Sequence, residues 1–125
     1  MKNVPISQLM QTHTQVIGAD DKVRAVEAFL KAQRLSWAPV VGDVGELIGV
    51  ISLSDLLRFH FDKRDADATA AWQLCSYRPI TVTPVTPLGT VAAMMVEHHI
   101  HHVVVTDDRG ICGVVSALDL VKTLI

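Results

Sequence analysis

Two short runs of the sequence place a serine and an aspartate at the same spacing. Ser52 and Asp55 lie in GVISLSDLL (49–57), and Ser116 and Asp119 lie in GVVSALDLV (113–121). A carboxylate has two acceptor oxygens and can hold a cis-diol through two O–H donors. A helix N-terminus offers free N–H groups and a positive dipole end to a phosphate, and a serine there adds a hydroxyl donor. Both runs therefore contain groups that suit a diol and a phosphate.

Helix capping is the alternative explanation for the same four residues. Serine is a preferred N-cap residue, and an aspartate in the first turn is favoured by the helix dipole. The two explanations are compatible, because a helix start that is capped by serine can also bind an anion. The spacing alone does not separate them.

A histidine cluster, His98-His99-Ile100-His101-His102, raises the possibility of a metal site. Histidine is the commonest metal ligand near neutral pH. However, the chain is predicted to turn from helix to strand within the cluster, and no cysteine or carboxylate stands at ligand spacing. Histidines on the surface or facing a phosphate are therefore favoured, and a metal sensor is the weaker alternative.

The composition excludes several classes of protein. The chain has 125 residues and a formal net charge of −2, which argues against a general binder of nucleic acid or acidic membranes. No apolar run approaches the roughly 18 residues of a membrane span. Cys75 and Cys112 form no CxxC motif, so a reducing cytoplasm is the expected location. Glycine-rich phosphate loops, nucleophile elbows and zinc-protease motifs are absent, and we expect no enzymatic activity.

The chain repeats itself once. Gly49, Val50, Ser52, Asp55 and Leu56 recur 64 residues later, and upstream positions recur 65 residues later. A one-residue deletion beside a turn accounts for the change of register. We expect repeat 1 at 1–58, a linker at 59–70 and repeat 2 at 71–125. The linker is expected to be a solvated extension of the last helix of repeat 1.

Each repeat has the pattern of a β-α-β-β-α unit. Amphipathic helices are predicted at 22–33 and 87–98, and hairpins at 38–51 and 103–115, each followed by a serine-capped helix. The buried helix positions are predicted to be Val23, Val26, Ala28, Phe29 and Leu30, and Leu88, Val91, Met94 and Met95. One such unit cannot bury both faces of its sheet. We therefore expect an α/β (α+β) fold in which two units pack sheet to sheet with pseudo-twofold symmetry.

The repeats resemble CBS domains, and the pair resembles a stand-alone Bateman module. The likeness is carried by Pro79–Pro84, by Ile100–Val105 and by the two runs at 49–55 and 113–119. The resemblance implies a regulatory module that binds AMP, ADP, ATP or S-adenosylmethionine in two clefts between the repeats. In this family the aspartate that closes the run holds the ribose hydroxyls.

The resemblance also implies the residues of the two sites. Site 1 is expected to contain Val50, Ser52, Ser54, Asp55, Ile80, Thr81 and Ile100. Site 2 is expected to contain Gln15, Val16, Leu35, His101, His102, Val114, Ser116 and Asp119.

Two departures from symmetry predict that the sites differ in affinity. Leu118 stands where repeat 1 has Ser54, and Ser36 stands where repeat 2 has His101. Without an effector domain in this sequence, the output must pass through self-association or a regulated partner protein, and a homodimer is the first expectation. The alternative function is an interaction module that acts by dimerisation and binds no ligand.

Overall fold

Two three-stranded sheets and four α-helices form the structure, a computed structural model that describes residues 3–77 and 79–124. The first set of elements is β1 (Ile17–Gly18), α1 (Val23–Gln33), β2 (Trp37–Val41), β3 (Leu47–Ser52) and α2 (Leu53–Phe61). The second set is β4 (Thr81–Val82), α3 (Leu88–His98), β5 (His102–Asp107), β6 (Gly110–Ser116) and α4 (Ala117–Leu124). The predicted α/β class and the repeated β-α-β-β-α order are confirmed.

The two sheets have the same topology. In the first, β1 runs parallel to β2, and β2 pairs antiparallel with β3. In the second, β4 runs parallel to β5, and β5 pairs antiparallel with β6. Each helix α1 and α3 is the crossover between two parallel strands, which a β-hairpin loop could not provide.

Helices α1 and α3 bury equivalent faces. Val23, Val26 and Leu30 are buried in α1, and three residues at the same repeat positions, Leu88, Val91 and Met95, are buried in α3. Phe29 and Met94 are partly buried, as expected, but Ala28 is exposed because it lies on the opposite side of α1. Arg34 and His99 end the two helices in the left-handed conformation, with φ of 55° and 53°. Within the described chain, no helix has both the length and the hydropathy that a bilayer span requires.

The chain divides into two compact units. The central unit is Gln15–Pro79, and the terminal unit combines Met1–Thr14 with Ile80–Ile125. The sequence repeats and the compact units thus divide the chain differently. The first segment of each repeat packs in the unit that holds the other repeat's sheet.

The expectation of a solvated helical linker is wrong beyond Phe61. Helix α2 ends at Phe61, and Lys63 takes a left-handed φ of 56°. Further along, Ala66, Thr69 and Ala70 are buried. The carbonyls of Thr69 and Ala66 accept hydrogen bonds from the N–H groups of Val23 and Arg24, at 2.9 and 3.1 Å. The segment therefore satisfies donors at the start of α1 that the helix itself leaves unpaired.

A segment crosses the last strand of each sheet at a glycine. Ser76 pairs with Val50 of β3, and Gln11 pairs with Val114 of β6, each through two backbone hydrogen bonds of 2.9 and 3.0 Å. A Cβ atom on Gly49 would overlap the carbonyl oxygen of Ser76, and one on Gly113 would lie 2.7 Å from the carbonyl oxygen of Gln11. The repeated glycine is therefore explained by the close approach of a second backbone.

Replacing either glycine by alanine is expected to destabilise the chain. Gly49→Ala and Gly113→Ala should each lower the free energy of unfolding by about 1–3 kcal/mol, because the added methyl group forces the crossing segment away. Urea unfolding followed by circular dichroism measures the change. Gly45→Asn is the control, since a Cβ at Gly45 meets no atom within 4 Å and asparagine tolerates its φ of 81°. Losses no larger than that of the control would contradict this account of the crossing.

Candidate functional site

Helix α2 of the central unit begins with a capping box. The backbone N–H of Ser52 donates to Oδ2 of Asp55 at 2.8 Å, and the N–H of Asp55 donates to Oγ of Ser52 at 3.3 Å. The Ser52 hydroxyl donates to the same Oδ2 at 3.0 Å. These bonds fix the partly buried carboxylate at the point where β3 passes into α2.

Helix α4 of the terminal unit begins in the same way. The N–H of Ser116 donates to Oδ2 of Asp119 at 2.9 Å, and the N–H of Asp119 donates to Oγ of Ser116 at 3.1 Å. The capping explanation of both Ser-x-x-Asp runs is therefore correct. It leaves the ligand explanation open, because each cap uses Oδ2 of its aspartate and not Oδ1.

Each helix start also has a backbone donor that the cap does not use. The N–H of Leu53 donates to the carbonyl of Ser36 at 3.0 Å, and that of Ala117 donates to the carbonyl of His101 at 2.7 Å. The next N–H groups, those of Ser54 and Leu118, have no hydrogen-bond partner among residues 3–77 and 79–124. Each helix start thus combines a carboxylate held by its cap with a free N–H donor.

Ser36 and His101 occupy equivalent places beside these helix starts. Both side chains are exposed, and both residues hold the first N–H of the helix through their carbonyls. The side chain beside the helix start is therefore a serine at α2 and a histidine at α4. His101 thus lies beside the start of α4, and its membership of site 2 stays a prediction.

Every predicted site contains residues from both compact units. For site 1, Val50, Ser52, Ser54 and Asp55 belong to the central unit, and Ile80, Thr81 and Ile100 belong to the terminal unit. For site 2, the terminal unit holds His101, His102, Val114, Ser116 and Asp119, and the central unit holds Gln15, Val16 and Leu35. The structure brings together the Ser-Asp half of each site within its own unit. The combination of the halves stays a prediction.

The sequence pattern did not predict a role for Gln11 or Ser76. They pair with Val114 and Val50 from the crossing segments. Val114 precedes Asp119 by five positions, and Val50 precedes Asp55 by five. The side-chain amide Nε2 of Gln11 donates to Oδ1 of Asp119 at 3.4 Å. The repeat does indicate that the two positions are equivalent. Gln8-Leu9 recurs as Gln73-Leu74 with an offset of 65 residues, and the same offset relates Gln11 to Ser76.

The histidine cluster is spread over three places. Helix α3 ends at His98, His99 is its left-handed C-cap, and β5 begins at His102. In the part of the chain that the structure describes, no group of three or more His, Cys, Asp or Glu side chains could hold a metal ion.

Burial lowers the pKa of His102, and the neighbouring charge of His101 lowers it further. The ring is therefore neutral at pH 7, and a neutral imidazole has one N–H to donate. A contact between His102 and a phosphate would then be a single hydrogen bond without a charge. Burial also raises the pKa of the Cys75 thiol, which does not favour a nucleophilic role.

A groove lies between α1 and α2 within the central unit. Its volume is about 690 Å³. The lining residues are Glu27, Ala28, Leu30, Lys31, Arg34, Leu35, Ser36, Leu53, Leu56, Leu57 and His60. Of the predicted site residues, only Leu35 lines this groove.

Stability is expected to fall in weak acid because of His102. The unfolded chain protonates this histidine near its ordinary pKa of about 6.5, whereas the folded chain resists protonation until a lower pH. The free energy of unfolding should therefore decrease as the pH is lowered from about 7 to about 5.5, and less steeply in His102→Gln. Urea unfolding at several pH values measures the slope, with His13→Gln as the exposed control. Equal slopes in the wild-type chain and His102→Gln would contradict the assignment.

A family model and two curated relatives match the chain. The model described as CBS domain matches residues 6–62 and 71–125. The 5′-AMP-activated protein kinase subunit gamma-3 of Sus scrofa is 28% identical over 101 residues, which are 74% of this chain and 20% of that protein. An uncharacterized protein of Methanocaldococcus jannaschii, MJ1225, is 26% identical over 123 residues, 98% of this chain and 43% of that protein. The chain thus spans less than half of either relative.

Two solved structures have the same fold. The CBS domain pair of MJ0100, in complex with 5′-methylthioadenosine and S-adenosyl-L-methionine, has a TM-score of 0.87 and 19% identity over 97% of this chain and 95% of that one. CBSX2 in complex with AMP has a TM-score of 0.87 and 21% identity over 97% of this chain and 96% of that one. With two family matches that together cover most of its length and the same fold in solved pairs, this chain belongs to the CBS domain family.

Proposed function

We propose that this CBS pair is a regulatory module that binds an adenosyl ligand, such as AMP or S-adenosylmethionine, at the starts of α2 and α4. The observation that carries the proposal is the duplicated capping box. It holds Asp55 and Asp119 in place through Oδ2, so that neither carboxylate has to be ordered when a ligand arrives. A binding group that is already ordered loses less conformational entropy on binding.

The chemistry of ribose fits the groups that each helix start presents. A ribose carries a cis-diol whose O–H groups donate hydrogen bonds, and a carboxylate accepts them. The free N–H of Ser54 or Leu118 can donate to a ligand oxygen from the positive end of the helix dipole. One acidic acceptor beside one backbone donor suits a hydroxyl-rich ligand better than a purely anionic one.

The ligands of the related pairs support the ribose as the shared element. AMP is bound by CBSX2, and 5′-methylthioadenosine and S-adenosyl-L-methionine are bound by MJ0100. All three contain adenine joined to a ribose ring, but only AMP carries a phosphate. A carboxylate that holds the ribose serves all three compounds. His101 is exposed beside α4, where α2 has Ser36. A phosphate contact from His101 would distinguish AMP from the two ligands that carry no phosphate.

The output of the module is proposed to pass through self-association or a partner protein. A ligand shifts a conformational equilibrium only by its differential affinity for the two states. The exposed apolar side chains Leu53, Leu57 and Phe61 on α2 offer a surface that could report such a shift. A homodimer through this helical face is the arrangement that we propose.

Adenosyl ligands are expected to raise the melting temperature of the purified chain through both aspartates. A ligand that binds only the folded state adds about 2.7 kcal/mol at 100 times its Kd, which corresponds to a shift of several degrees. The shift should shrink in Asp55→Asn and in Asp119→Asn and vanish in the double variant. Asparagine keeps an oxygen for the cap but places an amide where the carboxylate would accept the diol. Asp43→Asn, in an exposed turn, is the matched control.

Sedimentation velocity on the same samples separates the proposal from its alternative. A sedimentation coefficient of a dimer that changes with ligand supports a sensor that signals through assembly. A dimer without any melting shift from AMP, ADP, ATP or S-adenosylmethionine at millimolar concentration would instead favour the interaction module. The ribose role of Asp55 and Asp119 would then be withdrawn.

A further inference from the structure

The two compact units place different residues at the same backbone position beside their aspartates. Gln11 pairs antiparallel with Val114, and Ser76 pairs antiparallel with Val50, with nearly identical hydrogen-bond lengths. The crossing residues are 65 positions apart, and each strand partner precedes its aspartate by five positions. The backbone geometry is thus repeated, while the side chain at the crossing is not.

Asp119 has both carboxylate oxygens engaged. Oδ2 accepts the N–H of Ser116 at 2.9 Å, and Oδ1 accepts the Nε2 amide of Gln11 at 3.4 Å. Gln11 lies on the exposed side of the crossing segment, so its long side chain is free to reach along β6 to the start of α4. The amide therefore takes the oxygen that the capping box leaves unused.

Asp55 differs from Asp119 in this respect. Its Oδ2 accepts both hydrogen bonds from Ser52, and its Oδ1 accepts none from the residues that the structure describes. Ser76 stands where Gln11 stands in the other unit, and its short side chain makes no hydrogen bond to Asp55 within the described residues. The central unit thus presents an open acceptor where the terminal unit presents an occupied one.

An occupied acceptor weakens the binding of a diol. A ribose hydroxyl that approaches Oδ1 of Asp119 must displace the Gln11 amide or share the oxygen with it, whereas Oδ1 of Asp55 only has to lose water. The Gln11 bond is long and exposed, so its loss costs at most what a typical net hydrogen bond contributes. The difference between the two units should then be about two- to tenfold in Kd.

We infer that Gln11 sets the affinity of the terminal-unit site below that of the central-unit site by occupying Oδ1 of Asp119, and that Ser76 leaves Asp55 open. This inference rests on the proposed function, since it concerns the ribose-binding role of the same two aspartates. Gln11, the residue that receives this role, lies outside the two serine-aspartate runs.

Single-site backgrounds of the full chain allow a direct test. Asp55→Asn leaves Asp119 as the ribose acceptor, and Asp119→Asn leaves Asp55. Gln11→Ser is added to the first background and Ser76→Gln to the second, so that each unit receives the other's crossing residue. Gln8→Ser is the control, because it removes an exposed amide from the same segment, three positions away from the crossing residue. AMP and S-adenosylmethionine are titrated calorimetrically into each variant.

Exchanging the two crossing residues should reverse the order of the two sites in affinity. We expect Gln11→Ser to lower the Kd of the Asp119 site about two- to tenfold, and Ser76→Gln to raise that of the Asp55 site by a similar factor. Gln8→Ser should leave the Kd unchanged. These changes, in opposite directions at equivalent positions, are not expected from a general loss of stability.

Three other outcomes overturn the inference. An unchanged Kd in Gln11→Ser, with binding intact, would show that the amide does not compete, and a raised Kd would show that it contacts the ligand. Either result leaves the proposed function standing. Absence of binding heat in the wild-type chain as well as in every variant would overturn both the inference and the proposed function.

Discussion

The close crossing of two backbones at Gly49 and Gly113 is the constraint on which the rest of the structure depends. The first segment of each repeat covers the last strand of the other repeat's sheet, and only a glycine leaves room for the crossing carbonyl. A single repeat without the other would leave that edge of its sheet unpaired, and unpaired strand edges promote aggregation. The crossing therefore explains why the two repeats are interdependent.

The same crossing determines what surrounds the candidate ligand-binding groups. In each unit the strand residue at the crossing precedes the capping serine by two positions and the aspartate by five. Oδ2 of that aspartate accepts the hydrogen bond of the cap. Helix capping uses Oδ2 of each carboxylate, and the proposed contact with a ribose uses Oδ1. Of the two crossing residues, Gln11 contacts the aspartate of its unit, and Ser76 makes no hydrogen bond to Asp55 within the described residues.

Local features of the structure were predictable from the sequence, and pairings between distant segments were not. The periodicity of apolar residues gave α1 and α3 to within one residue, and the serine caps of α2 and α4 follow from their position after a strand. The exchange of the first segments could not be predicted, because both copies have the same local pattern and either sheet edge would accept either segment. The burial of Ala66 and Thr69 was unpredictable for the same reason. Their carbonyls accept hydrogen bonds from the start of α1, which is distant in the sequence. The two serine-aspartate caps were predictable from two residues each, whereas the hydrogen bond of Gln11 joins residues that are 108 positions apart.

Our proposal places an adenosyl ligand at the capped aspartates where α2 and α4 begin. Amide chemical shifts of the ¹⁵N-labelled chain during titration with AMP test it most directly, because each backbone N–H reports on its own surroundings. We expect the largest changes at the amides of Ser54, Asp55, Leu118 and Asp119. Changes confined to the groove between α1 and α2, at Leu57 and His60 for example, or no changes at millimolar AMP, would contradict it.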